Sequence, residues 1–215
     1  MVIRPIPAAA LIFLTLFVTG CSLFGPTTKP LSPTSPYLPL PNALDENYFR
    51  SPSGDIAARY PKGWLRVDIR SIPMENVLEV YTDPERERAL VLAEIPATAE
   101  FRREVQRDGM SALTEQSFHL KSSRLPGKLS ISRPTTLYTV KNKLFASYDY
   151  VENSPDSMHQ RQHSVTLFTT GARFYELSMI ELNVPRDPSV HVQNFRLLAS
   201  VIASLEGAAE VRDTL

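Results

Sequence analysis

Two histidines four residues apart, His159 and His163, with Asp156 just upstream, are the residues whose types and spacing come nearest to a metal site. On a helix, a spacing of four places both imidazoles on one face. A bound metal also needs at least three convergent ligands, with further groups behind them to orient the rings. The preceding Ser154-Pro155-Asp156-Ser157 has the composition of a loop, and a strand pattern follows from His163. His159, His163 and Asp156 are therefore the candidate ligands, and the plain alternative is a polar loop entering a strand. Carboxylates offer a second chemistry. Asp149 and Glu176 would form an acid pair, usable for hydrolysis, if neighbouring strands brought them together. Asp83, Glu85 and Glu87 share a loop with Arg86 and Arg88, and their mixed signs read as a solvated turn.

Other reaction classes find no residues. The eight glycines are scattered without the spacing of a phosphate loop, and Gly-x-Ser-x-Gly is absent. No cofactor is expected. Lysine and arginine balance aspartate and glutamate at 23 each, which gives no reason to expect a nucleic-acid partner. Arg102, Arg103 and Arg107, with Lys121 and Arg124 nearby, could rest on anionic lipid at about 1 kcal/mol per charge. Glu100, Glu104, Asp108 and Glu115 interleave with them. Intrahelical pairs such as Glu100–Arg103 and Glu104–Arg107 account for that pattern without a membrane.

The one cysteine, Cys21, has a particular setting. Arg4 precedes an apolar run over residues 8–18, interrupted only by Thr15. Eleven residues fall short of the roughly 20 that span a bilayer as a helix. The layout is that of a secretory signal peptide over residues 1–20. Its end, Val18-Thr19-Gly20-Cys21, resembles the lipobox of bacterial lipoproteins. The resemblance implies cleavage before Cys21 and acylation of its thiol and new amine with chains such as palmitate. Two or three such chains make anchoring durable where one does not. It also implies sorting by Ser22 to the outer membrane if the host has two membranes. The partner expected at this end of the chain is the lipid bilayer.

Residues 22–41 contain six prolines among serines and threonines. Proline fixes φ and removes donors, so this stretch is expected to be an extended tether reaching on the order of 60 Å. With Cys21 it makes a lipidated linker over residues 21–43. One domain over 44–207 and a short tail over 208–215 complete the chain.

Within the domain, period-two alternation marks strands. Ser51-Pro52-Ser53-Gly54 is a turn, followed by a strand over 55–60. Leu65, Val67 and Ile69 alternate with Arg66, Asp68 and Arg70 and predict a half-buried strand. Residues 76–82 and 89–96 predict a hairpin. The period then lengthens. Phe101, Val105, Ala112 and Leu113 predict a helix capped by Thr98 and broken near Gly109. Two hairpins follow, turning at Lys141-Asn142-Lys143 and near Thr170-Gly171. A closing amphipathic helix carries Phe195, Leu198, Ile202 and Leu205 in one stripe, with Ser189 as its expected cap and Gly207 as its stop. The expected class is α+β, an antiparallel sheet covered by helices in an α/β/α-type sandwich.

The order of elements, the motif Tyr60-Pro61-Lys62-Gly63-Trp64 and the closing Asn194-Phe195-Arg196-Leu197-Leu198 resemble the PsbP/Mog1-like fold. By itself the motif is a tight turn with tyrosine and tryptophan packed over it. Functions diverge within that group, and it has no shared catalytic set to carry over. The expectation is a non-catalytic, membrane-anchored binding or accessory protein of the cell envelope, whose partner is another envelope protein. The alternatives are a small metal-dependent or hydrolytic enzyme, requiring His159, His163 and Asp156 or Glu176 to converge, and a structural envelope component.

Overall fold

The computed structural model describes residues 38–71, 76–125, 128–141, 143–153, 160–170, 173–182 and 188–206. Cys21, Asp156, His159 and Gly207 lie outside the described residues.

Seven strands form one antiparallel sheet in the order β3-β4-β5-β9-β8-β7-β6. These are β3 (Leu65–Arg66), β4 (Val77–Thr82), β5 (Arg88–Ile95), β6 (Lys128–Val140), β7 (Lys143–Asn153), β8 (Gln160–Thr169) and β9 (Phe174–Glu181). Side chains of β7, β8 and β9 are buried on both faces. That requires helices on both sides, and they are present. On one face lie α3 (Pro188–Ala203) and a separate hairpin, β1 (Leu44–Arg50) with β2 (Ala57–Pro61). The other face carries α1 (Ala99–Asp108) and α2 (Met110–Arg124). The result is an α+β, α/β/α sandwich.

Two cores follow. Trp64, Tyr81, Tyr175, Leu177 and Met179 meet Leu198, Val201 and Ile202 on the α3 face. Phe101, Met110 and Leu113 meet Ile95, Tyr148, Val165 and Leu167 on the other.

Local chemistry sets the boundaries. Thr98 Oγ1 accepts from the Phe101 amide at 3.1 Å and starts α1. Gly109, at φ +67° and ψ −144°, separates α1 from α2 in a conformation open essentially only to glycine. The predicted strand over 65–70 shortens to two residues. Asp68 Oδ1 accepts from the Arg70 amide at 3.1 Å, and this local bond turns the chain into a 3-10 turn at Ile69–Ser71. Ser189 lies within the first turn of α3, not ahead of it as a cap. Both outer strands are poor templates for further pairing. β3 has two residues, while β6 carries Pro134 and two register shifts.

The Tyr60–Trp64 motif makes a tight turn. The Trp64 amide donates to the Pro61 carbonyl at 3.2 Å, and Gly63 takes φ +78°. Tyr60 stacks on Tyr81 with ring centroids 4.5 Å apart, and the Arg88 guanidinium lies 5.6 Å from the Trp64 ring. Arg88 also donates to Asp83 at 2.8 Å and to Asn194 of α3 at 3.1 Å. Asp83, expected in a solvated turn, is buried. It accepts from the backbone amides of Glu87 and Arg88 and closes the β4–β5 turn.

Where the chain enters the domain it is strapped to α3. Arg196 Nε donates to the Leu38 carbonyl at 3.2 Å, and the Leu40 amide donates to Ser200 Oγ at 2.7 Å.

Candidate functional site: a cleft beside helix α2

The inward stripe of α2 starts apolar and turns polar. Leu113 is fully buried, and the same stripe continues four and eight residues later as Ser117 and Lys121. Polar groups buried on a helix need partners. Theirs is Glu176 of β9. Its carboxylate accepts from Ser117 Oγ at 2.6 Å and Ser178 Oγ at 2.6 Å, and pairs with the Lys121 ammonium. Burial works against ionisation of Glu176. The Lys121 charge and the two serine hydroxyls more than offset it and hold its pKa below the ordinary value. Ser117 Oγ also lies 2.8 Å from Tyr148 Oη. Since the serine proton goes to Glu176, the tyrosine hydroxyl donates to Ser117.

A second polar chain runs alongside. His163 of β8 is 4% exposed and stacks on Tyr150, with centroids 4.3 Å apart. Its Nε2 lies 3.3 Å from Glu152 Oε2, and its Nδ1 lies 2.9 Å from Tyr150 Oη. A carboxylate only accepts, so Nε2 carries the proton and Nδ1 accepts from the tyrosine. Burial, and then the positive charge of Lys121, push the His163 pKa down to about 3, so the ring is neutral at neutral pH. The Lys121 ammonium completes the cluster 5.9 Å from the Tyr150 ring centroid.

These groups form one wall of a cleft of about 830 Å³. Helix α2 covers β7 and β8 but stops short of β4, β5 and the far part of β9. Val77, Val91, Ala93 and Ile180 stand there half-buried and form an aliphatic floor. Arg124, one turn beyond Lys121, is exposed at the rim.

The structure separates the two carboxylates that the sequence offered as an acid pair. Asp149 pairs with Ser164 of β8, and Ser164 with Met179 of β9, whereas Glu176 pairs with Leu167 and that with Ala146. Positions 176 and 179 differ by an odd number, so the two carboxylates face opposite sides of the sheet. Asp149 instead bonds Arg133 at 2.7 Å on the α3 face, where that guanidinium lies 4.6 Å from the Phe195 ring. His163 and Glu176 do line the same cleft. Among the described residues, no three His, Cys, Asp or Glu side chains gather as a metal site. In the arginine cluster, Arg107 bonds Asp108 at 2.7 Å and Arg102 lies 5.8 Å from the Phe174 ring, while Lys121 belongs to the interior wall. Ser117 escaped the sequence reading, and Lys121, read there as part of a basic surface cluster, is instead the buried partner of Glu176. Their signal was an apolar helix stripe that turns polar every fourth residue.

A mixed α+β sandwich with a half-covered sheet defines this domain, and comparison with known proteins supports the same class. No family model and no curated protein matches the sequence. Among solved structures, the chain superposes on the Ran-binding protein Mog1p of Saccharomyces cerevisiae with a TM-score of 0.51. The match covers 77% of this chain and 96% of that one, at 14% identity. A mutant form of Mog1 gives a TM-score of 0.50 over 76% and 96% of the two chains, at 13% identity. The cyanobacterial PsbP protein of Synechocystis gives 0.45 over 75% and 91%, at 14% identity. The likeness to Mog1 is one of fold.

Proposed function

We propose that this protein is a lipid-anchored, non-catalytic binding or accessory protein of the cell envelope, and that the α2 cleft is its binding surface. The observation that carries the reading is the unequal covering of the sheet. α3 and the β1–β2 hairpin cover one face down to a pocket of about 380 Å³ beside Trp64 and Tyr81, while α2 leaves an 830 Å³ cleft on the other, with an aliphatic floor and one polar wall. Mostly apolar clefts with a few placed polar groups are the usual form of a binding site. The polar groups here satisfy one another. Ser117 donates to Glu176, and His163 has both nitrogens engaged. Such a wall is preorganised for recognition. Anchoring through acylated Cys21, at the outer membrane if the host has two, would present the cleft to another envelope protein. Mog1p, which shares the fold, is itself a binding protein.

Photo-cross-linking in native membranes tests this. A photoreactive residue at Val91, on the cleft floor, is expected to yield one discrete adduct with an envelope protein. The same residue at Arg103, on the outer side of α1, is expected to yield none. Absence of an adduct from Val91, or the same adducts from both positions, would overturn the reading of the cleft as a protein-binding surface.

A further inference from the structure

We infer that the cleft takes an aliphatic carboxylate of the free fatty-acid type. This rests on the reading of the cleft as a binding surface and names the small ligand that its floor holds. Three features point to this chemistry.

The floor is lined by Val77, Val91, Ala93 and Ile180 on three adjacent strands. Strands lie about 4.8 Å apart, so this row runs roughly 10 Å across the sheet. Val77 pairs with Ala93 and Ala93 with Glu176, so the row is aliphatic over β4 and β5, which suits a flexible alkyl chain, and it meets the Glu176–Lys121 pair at β9. The chain's far end would lie by β4, at Val77.

Two carboxylates line the cleft, and each has a cation partner, Glu176 in Lys121 and Glu94 in Arg173, so the charge left over at the α2 end is positive. Lys121 is neutralised by Glu176, but an ammonium has three donors, and its described partners are one carboxylate and the face of Tyr150. Arg124 stands at the rim without a carboxylate partner among the described residues. An incoming carboxylate therefore meets a free guanidinium and the remaining ammonium donors. A second cation would be repelled.

The buried wall fixes the orientation. Ser117, Ser178 and His163 are each at most 4% exposed and already bonded, so the wall presents saturated polar groups to which an alkyl chain gains nothing by turning. The alkyl chain lies on the valine floor and the head group at Arg124.

Calorimetric titration of the full-length protein in lipid nanodiscs, with empty nanodiscs as blank, tests the inference. The probes are octanoate, decanoate, octanol and a lysophosphatidylcholine with an octanoyl chain. Octanoate is expected to bind, and decanoate about fifteenfold more tightly, since each of its two further buried methylenes adds about fourfold. Arg124→Gln is expected to weaken octanoate about three- to fivefold and leave octanol unchanged. Ala93→Leu, which fills the floor, is expected to weaken both. Equal binding of octanoate and octanol, no response to Arg124→Gln, or tighter binding of the lysophospholipid would each overturn the inference. A protein adduct from Val91 without octanoate binding would sink the ligand alone. Octanoate binding without an adduct would sink the envelope partner alone.

Discussion

Ser117 Oγ donates to Glu176 Oε2 at 2.6 Å, across the seam between α2 and β9. This bond, with Lys121 beside it, joins the helix to the central strands through a buried charge. Removing Lys121 leaves that carboxylate without its counter-ion. Lys121→Met is expected to lower stability by about 3–5 kcal/mol. Adding Glu176→Gln should restore most of the loss, because an amide needs no counter-ion. Urea unfolding of the two variants checks both statements; a double variant as unstable as the single one would contradict them.

His163 makes the fold sensitive to acid. Its folded pKa of about 3 lies below the ordinary 6.5, so the unfolded chain takes up the proton first. Stability is therefore undiminished above the unfolded value and falls as pH drops from 6.5 toward 3, by up to about 4 kcal/mol. Glu176, whose folded pKa is lowered, loses stability in the same direction at the acid end. His163→Gln keeps a donor and an acceptor between Glu152 and Tyr150 but does not titrate. It should flatten the upper part of the fall, measured as unfolding midpoints between neutral and mildly acidic pH. An unchanged slope would contradict the assignment.

Gly109 separates α1 from α2 through its backbone alone. A Cβ there would meet nothing within 4 Å, so a substitution introduces no clash, yet φ is +67°. Gly109→Ala is expected to cost about 1–3 kcal/mol through strain, lowering the melting temperature by several degrees. A neutral or stabilising result would show that the two helices rejoin into one.

Cys21 carries the anchoring proposal. Cys21→Ser should abolish acyl labelling of the chain. It should also either release the mature protein from membranes or leave the precursor uncleaved. Fractionation with metabolic palmitate labelling reads both, and persistent labelling would remove the lipoprotein reading.

Much of the secondary structure was legible because its causes are local. Alternation in β8 and β9, the stripe of α3, the Thr98 cap and the break at Gly109 depend on residues within one or two turns of one another. Locality failed at Ile69, where alternation predicted a strand but the Asp68 carboxylate captured the Arg70 amide and turned the chain. It failed again at Asp83, whose charged neighbours disguised a buried carboxylate serving two backbone amides.

The sequence by itself determined the class of fold: period-two segments that must pair, and two apolar helical regions that must cover them. Only the tertiary structure decided which polar residues meet. Strand alternation says that Asp149 and Glu176 each point to one side of a sheet. It does not say which side faces α2, because that depends on a register across β7, β8 and β9 and on helices far away in sequence. Packing sent Asp149 to Arg133 on one face and Glu176 to Ser117 and Lys121 on the other. The cleft lies where α2, packed on β6, β7 and β8, leaves β4 and β5 open.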